Sequence, residues 1–293
     1  MDTVTVRVPA TTANLACGFD TLGCALTLYN TLTFSLAEKL GFSGCPEEFR
    51  NEDNLAWQGF RAVYAALGRP APWVHIRIDA RIPVCRGLGS SAALIAAGAV
   101  AANALSGGGL TRAELLSIVT PVEGHPDNLA PALLGGLTAS ATVDGQVLSV
   151  NYPVSPSLRF VVLYPDFPLS THLSRGVLPK ELPFGDAVFE LSRLALLPRA
   201  METGDEGLLA AALDDRLHQP YRRKLVAEYD EVEALARSFG CRAVCLSGAG
   251  PSILCLTGDG ELASRMSAGV KALSHGWTVL ELPVDPRGAV VLS

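Results

Sequence analysis

The sequence predicts a mixed α+β fold in two domains, and three observations carry that reading. The chain has 293 residues, more than one minimal core requires and a fair length for two ordinary domains. Apolar residues make up 49% and charged residues 18%, enough to bury a substantial core and too little charge for a disordered chain. Strand-like alternation and helix-like spacing occur in both halves, a pattern that by itself admits α+β or α/β.

The elements follow in chain order. Val4, Val6 and Val8 alternate as in a strand, and Thr11 to Tyr29 reads as a loop rich in turn formers that runs back into apolar residues. Leu55, Phe60, Val63 and Leu67 sit at helical spacing behind Asn54, a residue suited to capping, and Gly68 closes that helix. Val74, Ile76 and Ile78 alternate towards Pro83. A glycine-rich turn then leads into the buried helix Ala92 to Leu105, shorter than the roughly 20 residues that cross a bilayer.

Gly107 to Gly109 end that helix, and Thr111 with Glu114 form a capping-box signature for the next. Val143 to Val150 turns at Asp144-Gly145 as a hairpin. Asn151 to Ser157, NYPVSPS, is the expected domain junction, dividing the chain into 1–153 and 154–293. Beyond it come a strand at Phe160 to Tyr164 and helices at Asp186 to Leu197, Leu208 to Leu217 and Leu225 to Phe239. Strands at Ala243 to Leu246 and Ile253 to Leu256 flank a second glycine-rich turn.

A net charge of −6 with scattered Lys and Arg provides no basic face, so neither nucleic acid nor an anionic membrane is expected as a partner. The N-terminus lacks the basic start and apolar stretch of a secretion signal, which with seven cysteines and no Cys-x-x-Cys pair suggests reduced thiols in the cytoplasm. Zinc held by Cys241, Cys245 and a histidine is disfavoured by the spacing.

The chemistry concentrates at Pro83 to Ala93, PVCRGLGSSAA. Glycines placed immediately before a helix let the backbone bend sharply, and the helix start offers unpaired N–H groups and the positive end of its dipole to an anion such as phosphate. A tight turn that binds nothing is the alternative. The stretch has no lysine for a Walker loop, Ala92 stands where a dinucleotide fingerprint needs glycine, and Ala93 where a nucleophile elbow does.

This stretch resembles the phosphate-binding motif of the GHMP small-molecule kinases, which include galactokinases, homoserine kinases, mevalonate kinases and phosphomevalonate kinases. Pro9 to Gly23, PATTANLACGFDTLG, resembles the opening motif of the homoserine kinases. Leu246 to Ser252, LSGAGPS, resembles the third motif of the superfamily, and Glu123 to Asn128, EGHPDN, adds a fourth agreement. The similarity runs from about residue 3 to past residue 260.

The resemblance implies an N-terminal ribosomal-S5-like domain with a left-handed βαβ unit, a ferredoxin-like C-terminal domain, and ATP in the cleft between them. It implies nucleotide contacts from Pro83, Arg86, Gly87, Leu88, Gly89, Ser90, Ser91, Ala92 and Ala93, with Mg²⁺ on Ser91 and Glu123. Asn14, Asp20, His125 and Asn128 would take the ammonium and hydroxyl end of L-homoserine, and the forked guanidinium groups of Arg175 and Arg222 its carboxylate. Ser91, Glu123 and Asn128 are the residues implied to be catalytic. Mevalonate kinases use an aspartate near Asp127 as a base; homoserine kinases lack a dedicated one, so a γ-phosphate oxygen is the expected proton acceptor. The expected activity is phosphorylation of L-homoserine on the path to threonine. Alternatives are another small alcohol as acceptor, or a sensor without catalysis, which the intact Ser91 and Glu123 pair disfavours. The family admits a homodimer.

Three positions depart from the pattern. Ala16-Cys17 replace a common Gly-Pro, Glu190 stands where asparagine is common ahead of Arg193, and Arg86 replaces a small residue and is expected to reach phosphate or solvent.

Overall fold

The computed structural model describes residues 2–292. Strand β1 (Thr3–Ala13) pairs antiparallel with β2 (Leu22–Leu36), and the register shifts between Pro9 and Ala10. The reading of Thr11 to Tyr29 as a loop is therefore corrected: residues 14–21 connect the two strands, with a short 3-10 turn at Ala16–Gly18, and Thr27 and Leu28 bulge out of the pairing at the register shift. The stretch looked like a loop because residues 8–13 are all buried, so the strand shows no alternation, and its threonines resemble turn formers.

β3 (Gly41–Ser43) lies parallel to β4 (Val74–Asp79), which pairs with β2. Between them α1 (Leu55–Ala66) starts where the Asn54 side chain accepts the N–H of Ala56 at 3.0 Å, as the capping pattern predicts. α2 (Ser90–Leu105) packs closely on α1, and its small residues make that possible: a Cβ on Gly98 would lie 2.0 Å from the Ala56 carbonyl oxygen. α3 (Arg112–Glu123) carries the predicted capping box of Thr111 and Glu114. α4 (Leu129–Leu134) follows, then the hairpin of β5 (Leu137–Val143) and β6 (Gln146–Tyr152), with β5 joined to β2.

β7 (Arg159–Pro165) opens the second sheet. After it come α5 (Thr171–Gly176), α6 (Phe184–Thr203), α7 (Glu206–Ala212), α8 (Gln219–Arg222) and α9 (Tyr229–Ser238). β8 (Ala243–Leu246), β9 (Ile253–Thr257), α10 (Leu262–Gly269) and β10 (Trp277–Glu281) complete an antiparallel sheet in the order β10-β7-β9-β8. That order, fourth-first-third-second, is the ferredoxin-like arrangement of the C-terminal domain. β11 (Val290–Val291) returns to pair with β1.

Two helices differ from expectation for local reasons. Helix α7 stops at Ala212 rather than Leu217, because the Asp215 carboxylate takes the N–H groups of Leu217, His218 and Gln219 and starts a new turn. The helix expected from Leu225 begins only at Tyr229, behind Glu228 at φ +60°. We propose the domain boundary near residue 153, where β6 leaves the first sheet. The two halves share apolar packing: Phe160, Val162 and Leu254 belong to the same buried cluster as Val6 and Leu32. Among the described residues no helix is long and apolar enough to cross a membrane.

Candidate active site

The glycine-rich loop joins β4 to α2, and its shape depends on two glycines. Gly87 has φ +69° and Gly89, which precedes α2, has φ +67°. A Cβ on Gly87 would lie 2.2 Å from the Ser247 carbonyl oxygen, and one on Gly89 would lie 1.9 Å from Thr11 Oγ1. The first bond into the helix runs from Ala93 N–H to the Gly89 carbonyl at 2.9 Å, so the N–H groups of Ser90, Ser91 and Ala92 point out of the helix end without helical partners.

The third motif braces this loop from behind. Ser247 Oγ lies 2.6 Å from the Gly87 carbonyl oxygen and 2.9 Å from Thr12 Oγ1, and Gly248 N–H donates to the Ala13 carbonyl at 2.9 Å. The Ser252 hydroxyl donates to the Arg86 carbonyl. Arg86 is on the cavity wall, and its guanidinium donates to the carbonyls of Pro165 at 2.8 Å, Asp166 at 2.6 Å and Val84 at 3.1 Å, fastening the loop to the end of β7. Leu88 is an apolar anchor, buried, while its carbonyl accepts the Thr11 N–H at 3.1 Å. Ala92 and Ala93 are buried and can offer only main-chain groups; neither they nor Pro83 are on the wall of the cavity in front of the loop.

That cavity has a volume of about 560 Å³ and takes its lining from both domains. At its floor Ser91 Oγ donates to Glu123 Oε2 at 2.5 Å, joining the first turn of α2 to the last residue of α3. Burial raises the Glu123 carboxyl above the ordinary carboxylate range; the Ser91 hydroxyl and His125 oppose the rise and Asp127 adds to it. Below the unfolded carboxylate range Glu123 is protonated in both states; above it only the folded state keeps the proton, so stability falls until pH passes the raised folded value. Glu123→Gln is therefore expected to raise the Tm of the ligand-free protein, and by more near pH 8 than near pH 4.5. Equal shifts at both pH values in a thermal-melt series would contradict this.

The opposite end of the cavity is polar and charged. Asp20 and Arg175 form a bidentate pair at 2.8 and 3.0 Å, and Asn14 Oδ1 accepts the Asp20 N–H at 3.0 Å. His125 Nδ1 lies 2.6 Å from Asp127 Oδ1, a bond that raises the imidazole pKa. Asn128 Oδ1 accepts the Thr11 hydroxyl at 2.7 Å. Potential ligand atoms of Asp20, His125 and Asp127 all lie within 4.8 Å of one another, a cluster suited to a cation.

Arg222 is 1% exposed. Its contacts are long: Nε to the Ser174 carbonyl at 3.2 Å, and Nη1 to the Gly248 carbonyl and to His218 Nδ1, both at 3.4 Å. Burial first, and then Arg175, lower its pKa to about 10. His218 donates from Nε2 to the Ala16 carbonyl at 2.9 Å, and burial lowers its pKa. The sequence thus places Asp20, Arg175 and Arg222 in one site, but gives no hint that Asp20 and Arg175 neutralise each other.

The turn that carries Asn14 holds three successive non-glycine residues at positive φ: Asn14 at 67°, Leu15 at 43° and Ala16 at 58°. Each such L residue costs about 1–2 kcal/mol. The Asn14 N–H bond to the Leu22 carbonyl at 2.8 Å, the Asn14 side chain and the His218 bond hold it in place. A Gly-Pro pair at residues 16–17 would relieve part of that strain.

Thr11, inside the opening motif, and His218 carry no residue-type signal of the roles that the fold gives them. The apolar wall formed by Pro46, Phe49, Leu55, Ile78, Val84 and Leu94 was also missed, because it is assembled from separate segments.

Family models for the "GHMP kinases N terminal domain" and "GHMP kinases C terminal" match residues 54–136 and 197–274. The chain is 41% identical to a homoserine kinase of Clostridium botulinum, over 98% of each chain, and 45% identical to one of Moorella thermoacetica, over 98% of this chain and 99% of that one. A crystal structure of homoserine kinase from Cytophaga hutchinsonii superposes with a TM-score of 0.89 at 28% identity, covering 100% of this chain and 98% of the other. Mevalonate kinase from L. major, with R-mevalonate, shares the fold alone, at a TM-score of 0.72 and 14% identity over 96% of this chain and 95% of that one.

Proposed function

Since the chain belongs to the GHMP kinases and, within them, to the homoserine kinases, we propose how its residues divide the work of moving the γ-phosphoryl group of ATP to homoserine. The enzyme converts L-homoserine and ATP to O-phospho-L-homoserine and ADP, a step towards threonine. The observation that carries the residue assignment is one cavity with the open end of α2 and the Ser91–Glu123 pair on one side and Asp20, His125, Arg175 and Arg222 on the other.

The main-chain N–H groups of Ser90, Ser91 and Ala92 bind the terminal phosphates, favoured by the helix dipole. The apolar wall around Phe49 and Ile78 receives the base. Arg222, poorly satisfied by its protein contacts, takes the carboxylate of homoserine, and Arg175 assists as it loosens from Asp20. Asp20, released in turn, takes the ammonium beside His125. The zwitterion therefore exchanges one internal ion pair for two pairs with substrate.

Thr11 fixes the Asn128 carboxamide through Oδ1 and leaves Nδ2 with one weak contact, 3.4 Å from Asp127 Oδ1, free to orient the acceptor hydroxyl. That oxygen attacks the γ-phosphorus, the bond to the β-phosphate oxygen breaks, and the hydroxyl proton goes to a γ-phosphate oxygen. Asp127 is a structural partner here: its Oδ1 accepts from His125 and from the Asn128 N–H at 2.8 Å.

Glu123 and Ser91 supply a carboxylate and a hydroxyl in contact, an all-oxygen donor set that fits Mg²⁺. Magnesium bound there would neutralise charge on the nucleotide phosphates. We place the enzyme in the cytoplasm on its free cysteines, of which Cys17, Cys24, Cys241, Cys245 and Cys255 are buried.

ADP release measured in a coupled assay with homoserine, mevalonate or shikimate is the direct test. Turnover with homoserine is expected; turnover with mevalonate or shikimate but not homoserine would overturn the acceptor assignment. Asp20→Ala is expected to raise KM for homoserine by about tenfold or more while leaving KM for ATP within about twofold. Equal damage to both constants would remove Asp20 from the acceptor site.

A further inference from the structure

Outside the reacting cavity, a buried carboxylate lacks the partners it needs. Glu190, on α6, is 8% exposed. Its Oε1 accepts the N–H of Arg216 at 2.6 Å, while Oε2 is buried without a hydrogen-bond partner. Arg216 directly follows Asp215, whose carboxylate is also buried and already accepts three main-chain N–H groups, from Leu217 at 2.7 Å and from His218 and Gln219 through Oδ2 at 3.2 and 2.6 Å. Those bonds set the start of α8, the short helix that presents Arg222. The same carboxylate lies 3.4 Å from His218 Nε2, and His218 in turn touches Arg222.

Two carboxylates sharing a buried site cannot both be ionised without strong repulsion. Asp215 needs its charge to accept three N–H donors. The proton therefore belongs on Glu190, where it satisfies the stranded oxygen by donating towards Asp215.

We propose that Glu190, in its protonated form, is a positioning residue: its carboxyl O–H donates to Asp215 and holds the helix cap that aims Arg222 at the acceptor carboxylate. Burial first, opposed by the Arg216 N–H and reinforced by Asp215 and Asp214, raises the Glu190 carboxyl to about 7. The groups acting on it are Asp214, Asp215 and the Arg216 N–H from the α7–α8 segment and Cys17 from the turn after β1, while Arg193 and Asp186 are the nearby charges of its own helix. Asp186 is engaged with Arg216 at 2.8 Å. The Cys17 thiol, pushed up to about 12 by burial first and then by Glu190 and Asp215, reports the same concentration of negative charge. Asparagine or glutamine at position 190 would provide a donor without a titration, and this chain has instead made the contact pH-dependent.

The proposal rests on the assignment of Arg222 to the substrate carboxylate, so two readouts are separated. With ¹³C-labelled glutamate carboxyls, one resonance of the unaltered enzyme is expected to titrate with a midpoint near 7, far from the ordinary glutamate range near about 4.3. If no glutamate titrates above about pH 6, the protonated Glu190 is wrong, whatever Arg222 binds. In steady-state kinetics, KM for homoserine is expected to rise at least about threefold from about pH 6.5 to 8 while KM for ATP stays level, and Glu190→Gln is expected to abolish that rise. An unchanged rise in the Gln variant, or a flat profile in the unaltered enzyme despite the shifted resonance, would overturn the positioning role.

Discussion

Glu123→Ala is expected to lower kcat by about a thousandfold, with KM for homoserine changed by less than about threefold. Glu123 ends α3 directly beneath the open turn of α2 and contacts the Ser91 hydroxyl at 2.5 Å. Burial raises its pKa, because an anionic group there is kept out of water. Several kcal/mol of charge neutralisation at the transferring phosphoryl group corresponds to about a thousandfold in rate. The acceptor end is built by other residues, so homoserine affinity should survive. Ser91→Ala, which removes a neutral ligand, should cost less, about ten- to a hundredfold. A Glu123→Ala enzyme within about tenfold of the parent would show that phosphoryl transfer is organised elsewhere.

Gly87→Ala is expected to have the largest structural effect among single methyl additions at the site. The residue sits at φ +69°, and the new Cβ would meet two main-chain oxygens, Ser247 at 2.2 Å and Gly250 at 2.9 Å. Neither oxygen can rotate away as a side chain would. The left-handed conformation costs about 1–2 kcal/mol and the overpacking about 1–3 more, a loss of roughly 2–5 kcal/mol or a fall in Tm of about 5–15 °C. Gly107→Ala is the comparison: φ is +110° but nothing lies within 4 Å of the added carbon, so only conformational strain remains. Similar losses in the two variants would mean that contact between the third motif and the phosphate loop does not matter to the fold. KM for ATP should rise in the Gly87 variant alone.

What the sequence revealed was mostly local. A glycine-rich turn, small residues behind it and the capping box of Thr111 and Glu114 each act within a few residues, and each is found where the pattern puts it. The resemblance of four ordered motifs then brought together residues that no local rule could join, such as Asp20 and His125, which the fold sets side by side. Chain-distant effects stayed hidden. Thr11 to Tyr29 lost its strand signal because neither the end of β1 nor the start of β2 alternates in burial. The anchoring of Arg86 to the end of β7 left no trace in the sequence because its partners are carbonyls, which carry no side-chain signature. The crowding of Glu190 against Asp215 depends on α6 meeting the segment before α8, and neither residue type predicts it.

The central claim is that the open first turn of α2 holds the terminal phosphates of ATP while Arg175 and Arg222 hold the amino acid. A crystal structure with a non-hydrolysable ATP analogue, Mg²⁺ and L-homoserine tests it most directly. The account predicts the triphosphate against the N–H groups of Ser90 to Ala92 and the homoserine carboxylate against Arg222. Nucleotide bound elsewhere, with that helix end bare, would contradict it.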